Sequence, residues 1–456
     1  DDYNLGMEMG FPAQHTVGMD GKFVKGTHPS LDGRYVKDCD SEIIDILSDE
    51  NKLYREHIYT HDYPHCWRTD HPLLYYAMDS WFVRMTSVKK EIIEYNSQVE
   101  WAPEWTGSGR VGEWLRNLKD WAISRERYWG TPIPVWICEK CNNEHCIGSI
   151  EEMNMLKTTD SPNPKELHRP YVDDVKLNCT NDDCNGEMIR EPYVMDCWFD
   201  SGCASFAQWH YPFENNDKFS GSFPVDYICE AVDQTRGWFY SLLAVSTAVF
   251  DSISYKRCLS LGHILDNEGK KMSKSRGNVV NPWDHFNKEG ADAIRWYMAT
   301  QSAPWNPMNF DPNGVRETYG KMFLTLWNVH RFHSDYAALD GFDPNEEAGQ
   351  IDVKDRSPLD RWILSRISNI AEIFHDNFNS WEFHKAGREL ENFVVNDLSN
   401  WYVRRSRRRL WDEVDSNDKR ACQHTLHEVL LVVCRLMSPI SPFMVDKIHR
   451  DLTGSS

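Results

Sequence analysis

The chain has 456 residues, 41% of them apolar and 26% charged, which gives roughly three domains of ordinary globular composition and excludes a disordered, collagen-like or disulfide-miniprotein chain. Fifty Lys plus Arg against 70 Asp plus Glu leave a net charge of −20. A sequence-independent nucleic-acid coat is thereby excluded, because such binding needs many cations over the whole surface; a local basic patch is not excluded. The longest uncharged apolar run, Trp238 to Phe250, is too short for a bilayer, which takes about 20 residues, so no membrane span is expected. Thirteen cysteines, four of them at metal-like spacing, point to a reducing, cytoplasmic compartment.

Taken in chain order, residues 1–75 are rich in Gly, His, Pro and Asp and carry turn pairs such as Asp20-Gly21 and Asp32-Gly33. That punctuation predicts strands and hairpins rather than long helices. Residues 76–316 mix β-like runs (Pro134–Ile137, Asp226–Cys229) with helical stretches, the pattern of an α/β core. From residue 317 the texture changes. Leu324, Trp327, Val329, then Leu359, Ile363, Ile367 and Ile370 recur at mostly three- and four-residue spacing, which predicts a bundle of amphipathic helices over 317–456.

Within the middle part, Cys138-Glu-Lys-Cys141 is answered by Cys179-Thr-Asn-Asp-Asp-Cys184. Two short cysteine knuckles supply four thiolates to a tetrahedral Zn²⁺, a closed shell that makes such a site structural. Zinc would staple an excursion at about 137–190 that reads as too polar to hold itself together. Cys146 is a spare ligand, and reduced buried cysteines are the bland alternative.

After the apolar run Leu259–Leu265 comes a polar loop, Asp266-Asn-Glu-Gly-Lys-Lys271-Met272-Ser273-Lys274-Ser275-Arg-Gly277-Asn278. Ammonium and hydroxyl groups on such a loop suit a polyphosphate, whose charge shifts during displacement at phosphorus. On spacing alone a solvated turn is the better explanation.

The literal string Lys-Met-Ser-Lys-Ser resembles the signature loop of the class I aminoacyl-tRNA synthetases. Three further stretches, Asp120-Trp-Ala-Ile-Ser-Arg-Glu-Arg-Tyr-Trp-Gly130, Asp196-Cys-Trp198-Phe-Asp-Ser-Gly202 and Asp233-Gln234-Thr-Arg-Gly-Trp238, resemble the isoleucyl-tRNA synthetase family within that class. The resemblance runs along essentially the whole chain. It implies an α/β fold: the carboxyl-terminal half of a Rossmann-type catalytic domain (76–316) with a zinc-bound insertion. Part of a β-rich editing domain (1–75) would precede it and a truncated helical anticodon-binding domain (317–456) would follow. The implied reaction is ATP-dependent activation of L-isoleucine and its transfer to tRNA(Ile), with Mg²⁺ accompanying ATP, Zn²⁺ in the cysteine site, and a monomeric chain.

Residue by residue, the resemblance makes Lys271 and Lys274, with Ser273 and Ser275, the groups that stabilise the phosphates in the transition state, and Met272 part of the ATP contact. It makes Trp198 and Trp238 the walls of the aliphatic pocket, where the residues alone suggest only core packing. Asp233 and Gln234 would bind the adenylate ribose, with Glu230 beside them and Ala231 where glycine is usual. His263 is an ATP contact or a structural histidine. Asp2 falls on the position that binds the misacylated substrate's ammonium during hydrolytic editing of valine. Arg404, Arg405, Arg408 and Arg409 would share one helical face toward tRNA, with Val394, Leu398 and Trp401 at core spacing; a solvated helix paired with nearby acids is the alternative.

The family's His-x-Gly-His element is absent from this sequence, so the chain is expected to be an internal fragment, inactive by itself. Two rivals remain: a valyl-tRNA synthetase, disfavoured by Asp233–Trp238, and a non-catalytic zinc- and tRNA-binding module derived from a synthetase.

Overall fold

The computed structural model describes residues 2–12, 14–66, 69–273, 277–346, 351–414 and 416–454, with Asp2 and Asn4 described by their backbone alone. The chain forms two compact units, Asp1–Asp79 and Ser80–Ser456. In the first, helices α1 (Asp2–Glu8) and α2 (Asp40–Asp49) accompany turns and extended stretches. Phe23, Leu31 and Cys39 make a small core with Val17, Val36, Ile43 and Ile46. The expected β-rich texture does not materialise among the described residues of this unit. The turn pairs form, but pairing stops at isolated bridges such as Val17–Phe23, Lys22–Tyr35 and His65–Pro72. The chain is diverted instead by local polar contacts: the Asp32 carboxylate accepts from the backbone N–H groups of Gly26 (2.7 Å), Thr27 (3.0 Å) and His28 (3.1 Å). Such side-chain bonds compete with ladder formation.

The second unit begins its sheet at β1 (Glu100–Ala102). An excursion follows, with strands β2 (Val135–Cys138), β3 (Glu144–Cys146), β4 (Leu177–Asn178) and β5 (Glu187–Arg190) in the antiparallel order β3-β2-β5-β4. It is not held by metal ligands alone, as its polar sequence suggested. Trp136, Met153, Val172, Val175, Leu177 and Met188 are buried in a core of its own, and the Trp136 indole donates to the Val175 carbonyl at 2.8 Å. Helix α3 (Cys197–Gly202) leads to β6 (Val225–Ala231), α4 (Trp238–Phe250) and β7 (Tyr255–Leu261).

Strands β6 and β7 are parallel, and β7 pairs in parallel with β1, giving the sheet order β6-β7-β1. The crossover helix α4 is the apolar run that was too short for a membrane. Being apolar all round, it is buried from Phe239 to Thr247. Its Phe239 meets Trp101 of β1 edge-on at 5.8 Å, and Trp101 meets Tyr255 of β7 likewise at 6.0 Å. Among the described residues no helix is long and apolar enough to cross a membrane.

Beyond residue 317 the chain is helical: α5 (Leu324–Asp340), α6 (Pro358–Asn379), α7 (Phe383–Asn392), α8 (Arg404–Trp411), α9 (Asn417–Met437) and α10 (Pro442–Thr453). Helix α6 shows why. Ser357 caps it by accepting from Asp360 N at 3.2 Å, Pro358 occupies its first position, and Ile363, Ile367, Ile370 and Phe374 are buried along one stripe. This core is continuous with Trp296, Tyr297 and Phe310 at the end of the α/β part.

Between α7 and α8 the backbone runs as a π-helix, Phe393–Val403. Its i→i+5 repeat places Phe393, Leu398 and Val403 in the core and turns Trp401, expected inside, out to 48% exposure. The four arginines, all on α8, do not share one environment. Arg404, Arg405 and Arg408 are exposed, but Arg409 is turned inward, where it is committed to protein contacts. It donates to the fully buried Asp360 at 2.8 and 2.7 Å and pairs with Asp418 at 2.8 Å, while the Tyr402 hydroxyl donates to Asp360 at 2.6 Å. Burial alone would raise the Asp360 carboxyl; Arg409, Tyr402 and Ser357 reverse this and hold it below the usual carboxylate range. Removing Arg409 strands a buried charge. Arg409→Ala should therefore cost about 3–5 kcal/mol in urea denaturation, whereas Arg408→Ala should change the midpoint by less than the scatter of surface substitutions, about 0.5 kcal/mol.

Candidate active site and metal centre

The register Glu230↔Ser260 and Ala231↔Leu261 brings the carboxyl ends of β6 and β7 side by side. In open α/β sheets this is where ligands bind. From β6 the chain turns through Val232–Arg236 into α4. Glu230 and Asp233 are exposed there, and neither has a cationic partner among the described residues. Gln234 is committed locally: its Oε1 accepts from Trp238 N (3.0 Å), capping α4, and its Nε2 donates to Asp233 Oδ2 (3.1 Å). Gln234 thus orients the Asp233 carboxylate and starts the helix that carries Trp238.

Trp238 donates its indole N–H to the Ser201 carbonyl at 3.0 Å, which satisfies its polar edge and ties α4 to α3. Gly237 lies between the two tryptophans' supports. A Cβ there would lie 2.6 Å from Gln234 Oε1 and 3.0 Å from the Trp198 ring, so only glycine lets these groups close together. Trp198 is itself fixed by Asp196, whose Oδ1 accepts from Trp198 N at 3.1 Å. The other oxygen of this buried carboxylate accepts from the Trp121 indole (3.4 Å) and pairs with Arg125. Two motifs far apart in the chain therefore meet at Asp196, a role invisible in the sequence.

The lysine loop leaves the end of β7. Leu265 bridges to Lys271, and Asp266, buried, accepts from the backbone N–H groups of Lys270 (2.7 Å) and Glu268 (3.0 Å) and from Asn278 Nδ2 (2.7 Å). Asn278 in turn accepts from Ser273 N at 2.9 Å and donates to the Lys271 carbonyl at 3.2 Å. Asp266 and Asn278 close the base of the loop beside a cavity of about 480 Å³ that also involves Lys270, Val280 and Phe310.

Lys270 is tied to Glu268 at 2.7 Å, while the exposed Lys271 has no carboxylate partner among the described residues. Met272 is half-buried, its side chain packed against the apolar core shared with the helices, and so anchors the loop. His263 is half-buried, and its carbonyl accepts from Met308 N at 2.9 Å. Lys274 and Ser275 lie outside the described residues, as does the side chain of Asp2.

In the excursion, Cys138, Cys141, Cys179 and Cys184 bring their sulfurs within 4.8 Å of one another, with Cys138–Cys184 at 3.8 Å and Cys141–Cys179 at 3.6 Å. Four sulfurs at the usual 2.3 Å from a tetrahedral zinc stand about 3.8 Å apart, so the donor set fits. Lys140 N and Asn181 N point at Cys138 Sγ (3.4 Å) and Cys179 Sγ (3.5 Å), as expected of knuckles that stabilise thiolates. Burial raises the Cys138 thiol, yet the backbone amides of Cys141 and Lys140 and the neighbouring thiols bring it down to about 6. A Cβ at Gly186 would lie 2.7 Å from Cys138 Sγ, so the approach of β5 requires glycine. Cys146, the spare candidate, lies outside the tetrad.

Residues 23–311 match the family described as tRNA synthetases class I (I, L, M and V), and residues 360–456 match the anticodon-binding domain of tRNA ligases. The chain belongs to the class I aminoacyl-tRNA synthetases. Its relatives within that class are named isoleucine–tRNA ligases. The one from Clostridium novyi (strain NT) is 48% identical over 99% of this chain, and the one from Clostridium acetobutylicum is 46% identical over all of it. The chain spans 43% of the length of each. In solved structures the fold is matched by Mycobacterium tuberculosis methionyl-tRNA synthetase (TM-score 0.61, 17% identity, 85% of this chain and 65% of that one). It is also matched by an Agrobacterium radiobacter LeuRS–tRNA complex (TM-score 0.55, 20% identity, 74% and 42%).

The Asp266 clasp is open to a direct check. Asp266→Ala removes three hydrogen bonds to a charged acceptor, each worth about 1.5–3 kcal/mol. Tryptic cleavage after Lys270 and Lys271 should accelerate at least tenfold under native conditions, with no change in cleavage elsewhere.

Proposed function

We propose that this chain supplies the second half of an adenylate-forming site for isoleucine. The observation that carries the reading is the placement, at the ends of two adjacent parallel strands, of a tryptophan pair, two carboxylates with no cationic partner among the described residues, and a lysine loop. The amino acid's carboxylate oxygen attacks the α-phosphorus of ATP. The bond to the bridging oxygen breaks in line, and pyrophosphate departs, leaving isoleucyl-adenylate for transfer to tRNA(Ile). No protein nucleophile takes part, so the residues position substrates and offset charge. Lys271, with no carboxylate partner among the described residues, neutralises the departing diphosphate together with Lys274. Asp233, held by Gln234, accepts from the ribose hydroxyls, with Glu230 beside it. Mg²⁺ enters with ATP and shares its phosphate charge.

The Trp238 indole is held by its bond to the Ser201 carbonyl, and the Trp198 backbone is held by Asp196, which suits an aliphatic slot with little entropy to lose. Such a slot rejects a substrate one methylene shorter by only about 1–3 kcal/mol, a limit commonly illustrated by isoleucine-specific synthetases. Hydrolytic editing in the region of 1–75, with Asp2 holding the ammonium of a valyl product, would supply the remaining discrimination. The cysteine tetrad binds one structural Zn²⁺.

In the full-length gene product, Lys271→Ala should lower isoleucine-dependent ATP–pyrophosphate exchange at least 100-fold, the usual effect of losing one transition-state charge contact. The KM for isoleucine should change little. Undiminished exchange would overturn the reading, and stronger exchange with valine than with isoleucine would favour the valyl alternative. An intact protein that binds zinc and tRNA without any exchange would be the non-catalytic module. For the metal, elemental analysis of the purified 456-residue chain should find about one zinc per chain. Cys138→Ser with Cys141→Ser should abolish it, and metal-free wild-type chain would refute the site.

A further inference from the structure

The start of α8 bears a surface that the catalytic reading does not use. From Leu398 to Trp411 the sequence contains no acid, and the nearest one before it, Asp397, is tied to Arg366 at 2.8 Å. Arg404, Arg405, Arg407 and Arg408 are all exposed, and none has a carboxylate partner among the described residues, although the chain carries a net charge of −20. Into this cluster the π-helix turns Trp401. The Arg405 guanidinium stands over its ring at 4.3 Å from the centroid, and the indole stays 48% exposed with that cation in place. Trp411, 54% exposed, closes the far end of the same helix.

Unpaired arginines alone would fit any polyanion, an acidic protein included. The indole changes the choice. A large aromatic held at the surface by a guanidinium offers a planar stacking partner, which nucleobases use and acidic peptides do not. Arginine forks beside it suit phosphate oxygens. We propose that Trp401, held by Arg405, stacks on a nucleotide of the bound tRNA while Arg404, Arg407 and Arg408 take neighbouring phosphates. This assigns a tRNA-binding role to an aromatic residue that the helical pattern of the sequence had placed in the core. The inference rests on the proposed synthetase function, and its test separates the two.

In the full-length protein, the affinity for an isoleucine-accepting tRNA transcript is measured by fluorescence anisotropy at several KCl concentrations, alongside tRNA-free ATP–pyrophosphate exchange. Trp401→Ala should weaken tRNA binding about 5- to 100-fold, the span of one lost base stack. The slope of log affinity against log salt should stay unchanged, because no charge is removed. Trp401→Phe should keep most of the affinity and Trp401→Leu should not. Arg404→Ala and Arg408→Ala should each reduce the salt slope by about one. Exchange should be the same in all variants.

Unaltered tRNA affinity in Trp401→Ala overturns the inference. So does full rescue by Trp401→Leu, which would make the ring mere packing. Displacement of tRNA by polyglutamate as efficiently as by an unrelated RNA of equal charge would also refute it, marking the face as a site for an acidic partner. Absence of isoleucine-dependent exchange in the unmodified protein would instead refute the proposed function and leave the stacking result to stand by itself.

Discussion

The packing of the apolar helix α4 beneath the parallel strands β6 and β7 is the constraint on which the site depends. The helix is buried on all sides, so its position admits little adjustment. Because it connects two adjacent strands, burying it fixes where β6 ends, where β7 ends, and the direction in which Trp238 leaves the sheet. The Trp101, Phe239 and Tyr255 rings lock the three segments at edge-to-face distances. Everything polar at the strand ends is built on that apolar contact: the Gln234 cap, the carboxylates and the loop root.

The polar layer above it follows one device used twice. At Asp196 and again at Asp266, a buried carboxylate collects donors from segments that would otherwise diverge. A carboxylate suits this because its two oxygens accept several N–H groups at once, and charge-assisted bonds are roughly twice as strong as neutral ones. In the first case the result is a fixed start of α3 at Trp198, tied to the Trp121 indole. In the second it is a loop with a rigid base and, among the described residues, no carboxylate partner for the Lys271 ammonium. Rigidity below and freedom above is what a group must have if it is to meet charge that appears only during the reaction.

The sequence made some of this legible and hid the rest, for definable reasons. The lysine loop, the tryptophans and the cysteine tetrad are read from local strings, and local strings survive without knowledge of the fold. The stripe at 363, 367 and 370 is a periodic signal, and the helix is where that signal places it; the run 238–250 was legible only as apolar and too short for a membrane, not as the buried crossover helix it forms. What failed needed non-local or non-α geometry. The 3.6-residue repeat assigned Trp401 to the core, and the π-helix turns it out; Arg409 was assigned to the surface, and its pairing with the buried Asp360, on another helix, turns it in. Hairpin turns in 1–75 were visible, but turns do not reveal whether strands long enough to pair will flank them. Asp196 and Asp266 read as unremarkable acids, because their donors lie on other segments or on backbone amides. Met272 sits inside a polar motif, and only the packing shows that it belongs to the apolar core.

The proposed function requires a chain of net charge −20 to meet two polyanions, ATP and tRNA. The total charge is a poor guide to that encounter. At physiological salt, charges separated by more than about 8 Å are largely screened, so what a phosphate meets is decided by the groups within one contact shell. Here the cations differ in how they are engaged. Arg409, Lys419, Arg366 and Arg356 are locked to carboxylates or carbonyls within the helical part, where they hold helices together and present little free charge. Lys271 and the exposed arginines of α8 have no such partners among the described residues. An unpaired cation costs nothing in water, but it is fully available to an anion that arrives, with no ion pair to break first. The acidic excess elsewhere then serves solubility and discourages nonspecific nucleic-acid binding, and confines attraction to the places where the fold has left its cations unmatched.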